Sequence, residues 1–271
     1  MSKFKKLLAV IGLIICLGVS FHTSVGAQTT VTVGVIGDST HPIWEIVQEN
    51  LGDDIQIELV SFTDGIYANQ AQADGDLDLT AFQHNAFLNN EIADKGYELT
   101  AIGNTIISPM NIYSEQISDI SELSEGDQII IPNNVTNMGR ALIVLDRAGL
   151  IKVDPSKGFL PDLTDIIENP LNLEIVEADP ALIPQSLPDV AAGITNSDLA
   201  IDFGINPVED AIFALDIDPD NEDLQPYLNI IVARTEDVEN EIYLQIVNAY
   251  QQENVSTFIL EHYDNAMIPA W

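Results

Sequence analysis

Apolar and polar positions along this chain follow two rhythms, a two-residue alternation in short runs and three- and four-residue spacing in longer ones. "VTVGVIG" at 31–37 reads as a strand bounded by Asp38 and Ser39. A helix follows from about His41 through "PIWEIVQENLG", with Ser39 or Thr40 placed to cap it and Pro42 in its first turn. "IQIELVSF" alternates as a half-buried strand does, "LDLTAF" at 77–82 is a third strand, and helical stretches separate all three. This βαβα order predicts a largely parallel sheet with helices on its faces.

The same grammar restarts in the middle. "DQIIIPN" is a strand, "TNMGRALIVLDRAGLI" a helix closing on Gly149, "LNLEIVEA" a strand and "ALIPQSLPDV" a short helix. In the tail, "YLNIIVAR" is a strand and "EIYLQIVNAYQQENVSTFILEHY" a pair of amphipathic helices. No internal repeat is evident, and 216–226, "DIDPDNEDLQP", is the most loop-like stretch. Two sheets, and so two α/β units, are expected.

The first 27 residues stand apart. Lys3, Lys5 and Lys6 precede the apolar run "LLAVIGLIICLGVSF", and Val25-Gly26-Ala27 offers a small-residue cleavage site, so residues 1–27 read as a signal peptide. The run falls short of the roughly 20 residues a spanning helix needs. The single cysteine, Cys16, lies in this leader, leaving the exported part without thiol, disulfide or cysteine metal site. "LIIC" has the leucine of a lipidation signal, but Ile15 is bulky where a small residue is preferred, so a soluble product is expected, with a lipid anchor left open.

Charge narrows the partners. Nine Lys and Arg against 43 Asp and Glu give a net charge of −34, and loss of the three leader lysines makes it −37. Such a field repels nucleic acid and anionic lipid. A solvated carboxylate surface suited to a salty or alkaline exterior accounts for it. An enzyme is the rival from another class, yet the chain has no G-x-S-x-G and no H-E-x-x-H, and the mature histidines His41, His84 and His262 are widely spaced. A calcium loop at Asp216, Asp218 and Asp220 fails at its sixth and twelfth positions, which hold Asn221 and Tyr227.

Three stretches carry candidate binding chemistry. In "NNVTNMGR", polar residues precede a helix whose first turn contains Arg140, so free backbone N–H groups and a guanidinium can converge on one anion. A plain salt bridge to one of the many carboxylates is the alternative, and Arg147, two turns on, reads as a surface charge. "FQHNAFL" puts Phe82, His84 and Phe87 around a strand end, where open α/β sheets place ligands, and aromatic faces suit a thioether. Core packing and a structural hydrogen bond are the alternatives there. Asn196 and Asn229 stand at or near strand ends, where an amide offers donor and acceptor, or simply closes a turn.

Four segments taken in order, "AFQHNAFL" at 81–88, "IPNNVTNMGRAL" at 131–142, "ITNSDLAIDFGINP" at 194–207 and "PYLNIIVAR" at 226–234, resemble the NlpA-type family of methionine-binding proteins that serve ABC importers. The resemblance extends over essentially the whole mature chain to the closing "AMIPAW". It implies an α/β fold of the type II periplasmic-binding-protein kind, two lobes joined by two crossing segments, with lobe 1 at 32–110 plus 229–271 and lobe 2 at 111–228. It further implies that Arg140 clamps a ligand carboxylate, that Asn133, Asn196 and Asn229 contact the polar end, and that Phe82, His84 and Phe87 form the side-chain pocket. The implied ligand is L-methionine or a close analogue, with another amino acid or a short methionine-containing peptide as alternatives and a secreted enzyme on the same fold as the rival. No cofactor or metal is implied; the partner is an ABC permease, the protein a monomer, and its place the periplasm or the outer face of the cell membrane. Two departures bear on specificity. Gly65 in "SFTDGIYAN" stands where the family commonly has Tyr, a gap that Tyr67 would have to fill, and Phe87 stands where Tyr is frequent.

Overall fold

The computed structural model describes residues 28–215, 217 and 221–271. The leader with Cys16, and Asp216, Asp218 and Asp220 of the acidic loop, lie outside the described residues. The chain begins β1 (Thr29–Ile36), α1 (His41–Leu51), β2 (Ile55–Phe62), α2 (Gly65–Asp74), β3 (Leu79–Thr80), α3 (Asn85–Lys95) and β4 (Leu99–Asn104). It continues through β5 (Ile106–Ile107), β6 (Met110–Tyr113), β7 (Gln128–Pro132), α4 (Val135–Arg147), β8 (Lys152–Val153), β9 (Ile166–Glu168) and β10 (Glu174–Ala178). Then come α5 (Ile183–Ser186), β11 (Ala192–Asn196), α6 (Ser197–Asp202), β12 (Ala211–Phe213), β13 (Ile230–Arg234), α7 (Glu241–Tyr250), α8 (Glu253–His262) and β14 (Ile268–Pro269).

Two five-stranded sheets result, ordered β2-β1-β3-β13-β4 and β10-β7-β11-β6-β12. Neither is wholly parallel. β1 runs parallel to β2 and β3, and β7 to β10 and β11, but β13 lies antiparallel to β3 and β4, and β6 antiparallel to β11 and β12. The two exceptions are the strands by which the chain enters each lobe from the other. No helical crossover precedes them, so nothing forces the parallel orientation.

The binary pattern explains each layer. In β2, Ile55 and Ile57 are buried while Gln56 and Glu58 face water, and in β7 Ile129, Ile130 and Ile131 are all buried because helices cover both faces. One core gathers Val33, Val35, Ile43, Trp44, Ile246 and Ile259; the other gathers Ile112, Ile129, Ile131, Leu142, Leu145 and Ile194. The lobes are linked by two short segments that bond to one another, Thr105 N–H to Asn229 O at 2.7 Å and Asn229 N–H to Ile106 O at 2.8 Å. Among the described residues no helix is long and apolar enough to cross a membrane.

Three local expectations are corrected. The strand read at 77–82 shrinks to Leu79–Thr80, because Asp78 ties to β1 through its side chain, accepting from Thr32 N–H and Oγ1 at 2.8 and 2.9 Å. Thr40 occupies the N-cap of α1, with Pro42 in the first turn as expected, but its side chain makes no capping bond. Its backbone is already helical (φ −92°, ψ −5°), whereas a capping side chain needs an extended one. The segment 181–190 is a single α turn flanked by 3₁₀ turns, as its prolines at 184 and 188 require.

Candidate functional site

A cleft of about 670 Å³, its open mouth included, lies between the two lobes. Its walls come from positions just beyond parallel strands and at the first turns of helices. The first lobe contributes Ile36, Thr63–Gly65, Phe82–His84 and Phe87, the second Asn134, Asn137, Asp179–Ala181, Asn196, Asp198 and Leu199, and the linking segment Asn229. Ligands of open α/β sheets sit at this end because helix N-termini turn unbonded N–H groups toward it.

The first wall is built around aromatic rings, with Asp64 contributing a carboxylate. A mutual pair of buried amides, Asn69 to Gln83 at 2.9 Å and Gln83 to Asn69 at 2.6 Å, holds the 82–84 stretch against α2. The Phe82 and Phe87 rings meet edge to face at 6.0 Å. The Phe82 ring lies directly over Gly65, where any Cβ would overlap it. Phe82 therefore takes the space left by the missing side chain, while Tyr67 is 65% exposed and does not border the cleft. His84 caps α3: its Nδ1 accepts from Phe87 N–H at 3.1 Å, which leaves Nε2–H to donate across the cleft to Asn137 Oδ1 at 3.1 Å. Burial first, then the positive charge of Arg140, pushes the His84 pKa down to about 4, so the ring is neutral at physiological pH.

The second wall is polar. Asn134 caps α4 by accepting from Asn137 N–H at 3.1 Å, and α4 then carries Asn137 and Arg140 one turn apart on one face. Arg140 is only 6% exposed. Its Nη2 donates to Ser108 O at 2.8 Å, and its guanidinium lies 4.8 Å from the centre of the Tyr227 ring. Among the described residues it forms no ion pair with a carboxylate. Burial lowers its pKa to about 10, which still leaves it charged. Ser108 also donates from Oγ to Asp198 Oδ1 at 2.6 Å, so one residue of the linking segment holds the cation and a cleft carboxylate together. Asn196 stands at the N-cap of α6, yet its side chain makes no capping bond.

Of the sequence-nominated residues, Phe82, His84, Phe87, Asn196 and Asn229 border the cleft. Arg140 is buried one turn behind Asn137 rather than on the open surface of the cleft. Asn133 is exposed, its backbone N–H bonded to Ala178 O at 2.8 Å, and does not border the cleft. Arg147 is exposed. Asn134, Asn137 and Asp198 were not nominated. Their signals were there: Asn134 precedes an apolar helical run, Asn137 is three residues from Arg140, and Asp198 lies in a helix first turn.

The family described as NlpA lipoprotein matches residues 31–271. "Outer membrane lipoprotein 3" of Mannheimia haemolytica is 42% identical over 243 residues, covering 88% of this chain and 89% of that one. The "D-methionine-binding lipoprotein MetQ" of Escherichia coli K12 is 36% identical over 245 residues, covering 89% and 88%. The crystal structure of the substrate binding protein of a methionine transporter from Streptococcus pneumoniae superposes with a TM-score of 0.83 at 33% identity, covering 90% of this chain and 96% of that one.

Proposed function

Because this chain belongs to the NlpA lipoprotein family, we propose that it is the extracytoplasmic binding component of an ABC importer, holding methionine or a closely related amino acid between lobe 1 (32–110 plus 229–271) and lobe 2 (111–228). One observation carries the ligand reading. A guanidinium 6% exposed, with no carboxylate paired to it among the described residues, stands next to an aromatic cleft. A buried unpaired cation is costly, and a small anion admitted beside it removes that cost. Four of the five guanidinium N–H groups are not used by the bond to Ser108, and a planar fork suits a carboxylate.

In this reading Arg140 takes the ligand carboxylate, Asn196 and Asn229 orient the zwitterionic end, and Asp198 faces the ammonium. Phe82, Phe87 and the neutral His84 enclose the side chain, where a thioether gains sulfur–aromatic contact. Ligand favours the arrangement in which both walls touch it, and the lobes then present one surface to a permease. The two relatives named above are lipoproteins, which supports an exported protein held at the outer face of the membrane. Binding, not chemistry, is the role given in the names of the methionine proteins, and the same is proposed here for a monomer.

The test is titration calorimetry of the mature chain with D-methionine, L-methionine, alanine and a dicarboxylic amino acid. Methionine should bind far more tightly than the other two. Equal affinity for alanine and methionine would remove the aromatic pocket from the account.

A further inference from the structure

Helix α6 belongs to the second lobe, yet its last turn docks on the first. Ile201 packs against the core built around Val35 and Ile43. The next residue, Asp202, accepts through one carboxylate oxygen from two consecutive backbone N–H groups of the first lobe, Asp38 at 3.0 Å and Ser39 at 2.6 Å. These amides lie immediately ahead of α1, whose N-terminal end carries positive potential. The other Asp202 oxygen lies against Gly37, where φ is +60° and any Cβ would overlap the carboxylate. The receiving loop is itself fixed from the first lobe, because Tyr263 Oη donates to Ser39 O at 2.6 Å.

We propose that Asp202 is a positioning residue for ligand retention: it clasps the two lobes together by accepting the Asp38 and Ser39 amides, away from the ligand itself. The proposal rests on the two-lobed receptor reading above. Its physical basis is differential. The two charge-assisted bonds exist only while α6 rests on the loop before α1; when the lobes separate, carboxylate and amides exchange them for bonds to water. The clasp therefore stabilises the closed arrangement selectively, and ligand must wait for it to release. Neither Asp202, Asp38 nor Ser39 borders the cleft, so the effect reaches the ligand only through closure.

Two readouts test this on the chain from residue 28 onward, which has no cysteine. Methionine association and dissociation are followed by stopped flow, and inter-lobe distance by energy transfer between dyes on Glu58→Cys and Glu177→Cys, exposed positions on β2 and β10. Asp202→Ala should speed dissociation about tenfold, the scale of hydrogen bonds to a charged group, with association changed less than about twofold. The ligand-free distance distribution should also shift toward larger separations. Asp202→Asn, which keeps an acceptor oxygen but not the charge, should recover part of both effects. Unchanged dissociation together with an unchanged distance distribution in Asp202→Ala overturns the proposal. Should that variant not fold, Asp202→Ser, whose oxygen is too short to reach both amides, carries the same expectation. Should the parent chain bind no methionine, the receptor reading fails, while the distance measurement still decides the clasp.

Discussion

The two lobes are built from the same local grammar, and the space between them takes its aromatic rings from one and most of its amides from the other. The first offers Phe82, Phe87 and an imidazole held neutral by burial, beside Asp64; the second offers Asn134, Asn137, Asn196 and Asp198, with Arg140 buried behind them. Both sets sit just past parallel strands or at helix first turns, so backbone architecture does not distinguish them. The division lies in side chains alone. It implies that a ligand needs an apolar end and a zwitterionic end, and that a molecule with only one of them engages one lobe and leaves the other unrewarded.

The hardest blow to that division is Arg140→Ala. On the reading proposed above, in which this buried fork meets the ligand carboxylate, its removal should weaken methionine binding by roughly 100- to 1,000-fold in calorimetry, and Arg140→Lys should recover only part of it because a point charge lacks the paired geometry. The ligand-free variant should unfold at a somewhat lower temperature, since the bond to Ser108 and the contact with the Tyr227 ring are lost and a cavity is left. Full binding by the alanine variant would dismantle the polar wall as described.

On the aromatic side the expected effect is smaller. Phe82→Ala should cost methionine about 10- to 30-fold through lost apolar burial and sulfur contact, while alanine binding changes little. A uniform loss across both amino acids would instead point to disturbed folding of the wall.

Acid should act on the same wall. The His84 pKa lies lower in the folded chain, about 4, than the ordinary 6.5, so the unfolded chain holds more protons between those values. The contribution of His84 to stability is complete above about pH 6.5 and is lost as pH falls from there toward about 4. Denaturant titrations at stepped pH on the parent and His84→Gln should diverge across that window and run parallel above it.

The mildest perturbation is Gly65→Ala. The new methyl group must displace the Phe82 ring, which should lower methionine affinity a few-fold and alter alanine affinity less. Crystallography of that variant should find the ring turned into the cleft; an unmoved ring would show that α2 yields instead.

Much of this architecture was legible in the chain because its periods are unambiguous. Ile55 and Ile57 alternating with Gln56 and Glu58 leave no doubt about a strand, and α1, α4, α7 and α8 follow three- and four-residue spacing. Strand direction was less legible. Whether β6 and β13 run with or against their neighbours depends on how the chain passes between lobes, and no local pattern encodes that route. At the site, single-residue placement was the difficulty. In "NNVTN" the choice of N-cap decides which asparagine faces the cleft, and the cap is Asn134, so Asn133 points elsewhere. The pairing of Gly65 with Phe82 joins positions 17 residues apart through contact in space, which composition cannot reveal.

Asn229 belongs both to the cleft lining and to the mutual pairing of the two linking segments, through its own N–H and C=O. Displacement in a rotation grows with distance from the axle, so on the proposed reading a solute held at this residue would sit near the fulcrum while the outer rims swing through the longest arcs. Loading would then precede swinging, and a polar grip made first at the pivot would not have to be broken and remade as the jaws travel.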